Sequence, residues 1–260
     1  AARVVLVEAS PRLREKQAET LAGRTIEWAS SIDDLPAGPL ILLANEFVDA
    51  LPIRQFVRTP EGLAERMIGL DDEGVLAFGL RPGARLDARA EARLRDAPPG
   101  AILEICPAGL IVAEKLGARL ARDGGAALFI DYGHAGGFGD TLQALYMHAY
   151  DDVLAHPGEA DLTAHVDFAA LARAATGARA FGPIGQGALL ERLGLDARAE
   201  RLKRDADAPT RATIDAARAR LAGTGENEMG ALFKALALVH PALGPVAGFA
   251  PDEEFRNSSA

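Results

Sequence analysis

Three apolar runs in this sequence end on groups able to do chemistry. "LLANEFVDALPIRQF" at 42–56 sets Asn45, Glu46 and Asp49 directly behind a strand-like stretch. "AALFIDYGH" at 126–134 ends on Asp131, Tyr132 and His134, and "RVVLVEAS" at 3–10 ends on Glu8. Open α/β sheets hold their ligands in the crevice beyond the carboxyl ends of the strands, so acids and amides placed there are candidates for a binding rim. In a nucleoside-binding sheet, a carboxylate in the position of Glu8 can accept hydrogen bonds from both ribose hydroxyls. Plainer roles stay open at the same positions. Glu8 also reads as a helix-end charge in the "VEASP" turn, and Asn45, Glu46 and Asp49 also read as caps that shape their own loop.

Other chemistries lack their residues. The sequence contains no G-x-S-x-G elbow, Walker P-loop, C-x-x-C or H-E-x-x-H. His134, His148, His156, His165 and His240 show no metal-ligand spacing, and no metal is expected. His165 falls at a helix start and reads as a surface or capping residue. "GHAGGFGD" at 133–140 has glycines but no helix N-terminus aimed as a dinucleotide loop requires. The single cysteine, Cys106, sits in the strand-like "AILEICPAG" and reads as a buried, inert thiol; one cysteine excludes an intramolecular disulfide and points to a reducing compartment.

The elements that must position these groups follow from the hydrophobic pattern. The 260 residues are 49% hydrophobic and 25% charged with a net charge of -9, enough for a sizeable core. The acidic balance argues against a broad nucleic-acid surface and suits a basic partner or an arginine-bearing substrate. No apolar run is long enough to span a bilayer, and no signal peptide opens the sequence. Apolar runs at 3–8, 25–30, 39–45, 126–131, 178–184 and 232–240 predict one mostly parallel sheet, with the runs buried on both faces. Helices are expected over 10–22, capped by Ser10 and stopped by Gly23, over 109–125, and over 186–204 and 209–222. Another begins near Asp161, Thr163 or Asp167, and "LDARAEARLRDAP" suits a short one. Alternation over 56–80, with "DDEG" at the turn, predicts a hairpin within an insertion at 56–100 of a single domain, 1–260. A mobile glycine loop is expected after residue 133, and "RNSSA" reads as a frayed tail.

Taken together, "LVEASPRL", "LLANEFVDALPIRQF", "GGAALFIDYGH", "GDTLQALYMH" and "PGEADLTAHVDF" resemble the MidA-type S-adenosylmethionine-dependent methyltransferases. This is the family of the mitochondrial complex I assembly-factor arginine methyltransferase. The motifs stand in the family's order from residue 3 to about residue 250. The resemblance implies a Rossmann-like class I methyltransferase sheet with helices on both faces and S-adenosylmethionine as cofactor. It implies a protein arginine as acceptor, with a respiratory complex I subunit as the candidate partner. The implied location is bacterial cytoplasm, or mitochondrial matrix in a eukaryote; a homo-oligomer is compatible. The family has a strand and an E-x-G-x-G-x-G loop ahead of "VEAS". The sequence begins beyond that loop, so the expectation is an N-terminally shortened member. Its missing strand would sit between the strands at 3–8 and 39–45.

The resemblance also implies roles. A guanidinium is a poor nucleophile because its lone pairs are delocalised and it stays protonated. Carboxylates gripping it bidentately can orient one nitrogen. Glu46 and Asp49, with Asn45, are the catalytic candidates; Phe47 and Val48 would anchor the loop while Glu46 and Asp49 face the opening. Glu8 and Asn45 are the cofactor candidates. Asp131, Tyr132, His134 and Asp161 are the substrate-side candidates. The alternative is a non-catalytic binding or assembly factor on a degenerate methyltransferase fold. A nucleotide-dependent oxidoreductase ranks third, since it needs the same glycine loop.

Overall fold

The computed structural model describes residues 2–225 and 228–256; the tail expected to fray lies outside them from residue 257. The chain divides into two compact units between Pro39 and Leu40. In the first unit, β1 (Val5–Val7), α1 (Pro11–Thr20) and β2 (Glu27–Ala29) follow one another, and β1 pairs with β2 in parallel. Helix α1 starts as expected. Pro11 takes the first position, where its missing N–H costs nothing, and Ser10 Oγ accepts from Leu13 N at 3.3 Å. The Trp28 indole donates to Gln17 Oε1 at 3.0 Å, and Gln17 Nε2 donates to Glu8 Oε2 at 3.1 Å. That relay links helix α1 to both strands of its unit.

The second unit opens with β3 (Leu40–Asn45) and an insertion made of β4 (Arg54–Thr59), β5 (Gly62–Leu70), β6 (Leu76–Pro82), α2 (Ala88–Asp96) and β7 (Ile102–Ile105). Helix α3 (Pro107–Asp123) then leads into β8 (Gly125–His134). Next come β9 (Gln143–Tyr146), β10 (Ala149–Asp151), β11 (Asp161–Thr163), β12 (Val166–Asp167) and α4 (Phe168–Ala174). The chain continues as β13 (Arg179–Gly185), α5 (Gln186–Arg192), α6 (Leu195–Lys203), α7 (Ala208–Ala222), α8 (Met229–Leu232) and β14 (Phe233–Val239). Strand β8 is central. Strands β3 and β12 pair with it in parallel along one edge, β14 pairs antiparallel on the other, and β13 continues beyond β14.

The core explains why β8 and β14 are the strands at the centre. On one face of β14, Ala235, Ala237 and Val239 pack with Phe181, Leu189 of α5 and Phe249. Leu236 and Leu238 alternate to the opposite face, where α3 and α4 contact the strand, and both are fully buried. Helices α3 and α4 meet closely at Gly117: a Cβ there would lie 2.5 Å from the Ala175 carbonyl carbon. Under the insertion, Phe56 and Leu103 of its sheet pack with Ala90 and Leu94 of α2.

Several sequence expectations are corrected. The six strands do not form one sheet: β1 and β2 stand as a separate two-stranded sheet. The larger sheet is mostly parallel as expected: β3, β12 and, two strands away, β13 run in the direction of β8, and among its described strands β14 alone is antiparallel. An apolar run buried on both faces looks the same in either direction, so its pattern carries no strand polarity. The run "LILLA" is not buried on both faces within its unit; Ile41 is 86% exposed and Leu43 75%. The hairpin of 56–80 is part of a four-stranded sheet, ordered β6-β5-β4-β7, that reaches Ile105. The glycine loop after β8 leads into a three-stranded sheet of β9, β10 and β11. The helix expected over 186–204 is two, broken at Gly194, whose φ of 92° suits only glycine without strain.

Candidate active site at the ends of β3 and β8

The site is built on register. Asn45 stands opposite Ile130, so the two parallel strands end side by side. Glu46 N donates to Ile130 O at 2.9 Å, one step beyond the ladder. The chain then turns sharply, with Glu46 at φ 48°, a left-handed conformation uncommon for a residue with a side chain. The turn is held from the neighbouring strand. Asp131 Oδ2 accepts from the backbone amides of Phe47 at 3.1 Å, Val48 at 3.0 Å and Asp49 at 3.3 Å. Its Oδ1 accepts from Tyr132 N at 3.0 Å. One carboxylate thus satisfies three successive amides of a loop more than eighty residues away in sequence.

This clamp is buried, and its electrostatics follow. Asp131 is 2% exposed. Its carboxyl is pushed up to about 6, first by burial and then by the charge of Asp49; the amides oppose the shift without cancelling it. Asp49 is itself 6% exposed. Its Oδ1 accepts from Ala50 N at 2.9 Å, while its carbonyl accepts from Ala164 N at 3.0 Å and ties the loop to the segment after β11. Burial, and then the Asp49 carboxylate, raise the Tyr132 phenol well above its ordinary value. The Tyr132 ring lies edge-on to His165 and to Phe233, each with centroids 5.5 Å apart. Burial, and then the charge of His134, lower His165, which favours its neutral imidazole. The hydroxyl of Thr163 is buried beside the Tyr132 phenol, whose rise it opposes.

Above this network, Asn45 and Glu46 are exposed, and Asn45 Nδ2 donates to Glu46 Oε1 at 3.0 Å. An exposed carboxylate on a turn fixed from below, beside an amide, can orient a cationic ligand. A cavity of about 300 Å³ extends from Val48 and His165 toward α2 and α4.

Comparison with known proteins identifies the fold's relatives. The family model described as "Putative S-adenosyl-L-methionine-dependent methyltransferase" matches residues 1–184. The chain belongs to this methyltransferase family. Within it, the chain is 38% identical to the zebrafish "Protein arginine methyltransferase NDUFAF7, mitochondrial", over 80% of this chain and 55% of that protein. It is also 38% identical to the human protein of the same name, over 75% of this chain and 49% of that protein. The chain spans about half the length of these curated relatives. A Burkholderia thailandensis crystal structure superposes with a TM-score of 0.84 at 31% identity, covering 97% of this chain and 70% of that one. A second from the same organism, bound to S-adenosyl-homocysteine, gives 0.81 at 31% identity over 97% of this chain and 67% of that one.

The cofactor of the methyltransferase family is S-adenosylmethionine, and Glu8 offers a test of fit. Its Oε1 accepts from Ser10 N at 2.8 Å and its Oε2 from Gln17 Nε2 at 3.1 Å. A carboxylate has about four acceptor positions, so the two left can serve the paired hydroxyls of a ribose. The residue present suits the group.

The other predicted residues of this family member separate into layers. Asn45 and Glu46 lie on the open side. Asp49, expected to face the opening beside Glu46, is buried instead, because the turn directs it toward Tyr132. Asp131, expected on the substrate side, spends its oxygens on backbone amides. His134 is half-buried, its Nδ1 accepting from Gly136 N at 3.1 Å. Asp161 is exposed on β11, and Asp167 rather than Asp161 or Thr163 caps α4. His165 is no surface residue but packs on Tyr132. Thr163 and Lys234 also belong to the neighbourhood. Lys234 stands opposite Asp131 in the ladder and is lowered by burial. Neither was legible as a site residue, since β11 and β14 reach the rim only through tertiary pairing. Cys106 is the N-cap of α3, its Sγ accepting from Gly109 N at 3.4 Å, and burial raises its thiol.

Proposed function

We propose that this chain carries the acceptor side of an S-adenosylmethionine-dependent protein arginine methyltransferase. Relatives at 38% identity bear that name, and a complex I subunit is the candidate acceptor. The observation that carries the reading is Glu46, an exposed carboxylate at φ 48° beside Asn45, on a turn fastened by Asp131. When bound, S-adenosylmethionine supplies a methyl group activated by its sulfonium. The chain's own part is positioning, which dominates the lowering of such barriers. Glu46 grips the guanidinium and orients one nitrogen, and Asn45 steadies Glu46. Asp49 acts indirectly, as a positioning residue that sets the Tyr132 phenol, and Glu8 serves the cofactor's ribose.

Methylation of an arginine-containing protein substrate, with Glu46→Gln and Asp49→Asn in parallel, tests the reading. A fall of tenfold or more for Glu46→Gln, about 1.4 kcal/mol in the barrier, with unchanged melting temperature supports it. Wild-type rates for both variants would sink it. A second reading is a partner-binding or assembly factor without turnover. Calorimetry with S-adenosyl-homocysteine separates the two, since only the enzyme requires that binding.

A further inference from the structure

Four arginines converge on one cavity, and three of them, Arg89, Arg93 and Arg173, also line the neighbouring cavity that starts at Val48 and His165. Arg89 and Arg93 of α2, Arg173 of α4 and Arg256 near the end of the described chain line a space of about 430 Å³. Gly136 and Gly137 also line it. Gly136 has φ 100°, and a Cβ there would come within 3.8 Å of Arg93 Nη2 and 4.0 Å of Asp167 Oδ1. Those are ordinary contact distances, so the position favours glycine through its left-handed φ rather than for lack of room.

The local charge is balanced by the protein only in part. The nearby carboxylates are Asp87 and Asp167, each already a helix N-cap, to Ala90 N and Ala170 N, both at 2.9 Å, and Glu254, which neighbours Arg256 and is paired with Arg179. Asp167 approaches Arg93 at 3.7 Å, and Arg93 donates to Gly137 O at 3.3 Å. The side chains of Arg89 and Arg173 make no hydrogen bond or ion pair among the described residues. Arg173 is half-buried; burial lowers its guanidinium, Asp167 and more weakly Asp87 oppose the shift, and Arg89 and Arg93 add to it. Arg89 also sits in the first turn of α2, where the helix dipole disfavours a cation. Such concentration of positive charge in a chain of net charge -9 is unfavourable unless an anion joins it.

We propose that this cavity is a binding site for a compact, multiply charged oxyanion, phosphoryl or carboxylate in kind. The planar guanidinium fork matches both groups bidentately, and several forks around one cavity favour a ligand with more than one negative charge. The site does not depend on the methyl-transfer reading.

Calorimetry on the 260-residue chain at constant ionic strength tests it, with inorganic pyrophosphate in one arm and tricarballylate in the other. Binding in either arm is expected, and the tighter arm names the group. Arg173→Gln and, independently, the exposed Arg89→Gln should each weaken it at least tenfold, with steep salt dependence. Arg89→Gln keeps the test valid if Arg173→Gln disturbs packing. Binding in neither arm, or binding that folded Arg89→Gln leaves unchanged, would overturn the site.

Discussion

Glu8 and Asp131 are both carboxylates at strand ends, both accept backbone amides, and they do different work. Glu8 bonds within its own turn and helix, to Ser10 and Gln17. It is half-buried and keeps acceptor positions to spare. Asp131 is buried, and it bonds a loop from another strand. A local carboxylate shapes a turn and stays available to a ligand; a long-range one is consumed in making the site.

The largest expected effect breaks this contrast if it fails. Asp131→Ala strands three amides of the Glu46 turn, so urea unfolding at pH 4.5 should show a loss of about 3 kcal/mol. The pH dependence has a definite sign. The folded carboxyl lies near 6 against 3.8 unfolded. Its contribution is therefore fully present below the unfolded value and is lost as pH rises through the folded one. The difference between wild type and Asp131→Ala should shrink by about 2 kcal/mol between pH 4.5 and 7.5. A difference that grows over that range would show that the amides outweigh burial and the Asp49 charge.

The next effect sharpens the other side. Glu8→Ala should weaken S-adenosyl-homocysteine binding by about 1–3 kcal/mol, the scale of a lost hydrogen bond to a charged group, read by calorimetry. Unchanged affinity with an intact fold would leave Glu8 as a turn-former only. The smallest effect concerns the relay behind it. Gln17→Ala removes one partner each from Glu8 and Trp28 at a half-buried position, and should lower stability by about 1 kcal/mol or less. A loss as large as that of Asp131→Ala would erase the distinction between the local and the long-range carboxylate.

Much of the local structure was legible because its signals are local. Pro11 behind Ser10 marked α1, and the paired glycines after Asp123 marked the end of α3. Partner choice was not legible. The run at 3–8 was expected in the large sheet but, among the described residues, pairs with β2, and which strand of the larger sheet would run antiparallel, β14, was not legible. At the site, Asn45, Glu46, Asp49, Asp131 and Tyr132 were named from their places at strand ends. Which of them face outward was misread for Asp49, because an acid's spacing does not reveal the direction of a tight turn.

The sequence by itself determined that polar groups would stand behind two apolar strands, since strand ends, caps and turn residues act over a few positions. Only tertiary structure decided that β3 and β8 end side by side with Asn45 opposite Ile130. That register brings the Asp131 carboxylate under the amides of Phe47, Val48 and Asp49, buries Asp49 and leaves Glu46 outside. Hydrogen bonds and burial act between neighbours in space, and these neighbours are made by the pairing of strands far apart in the chain.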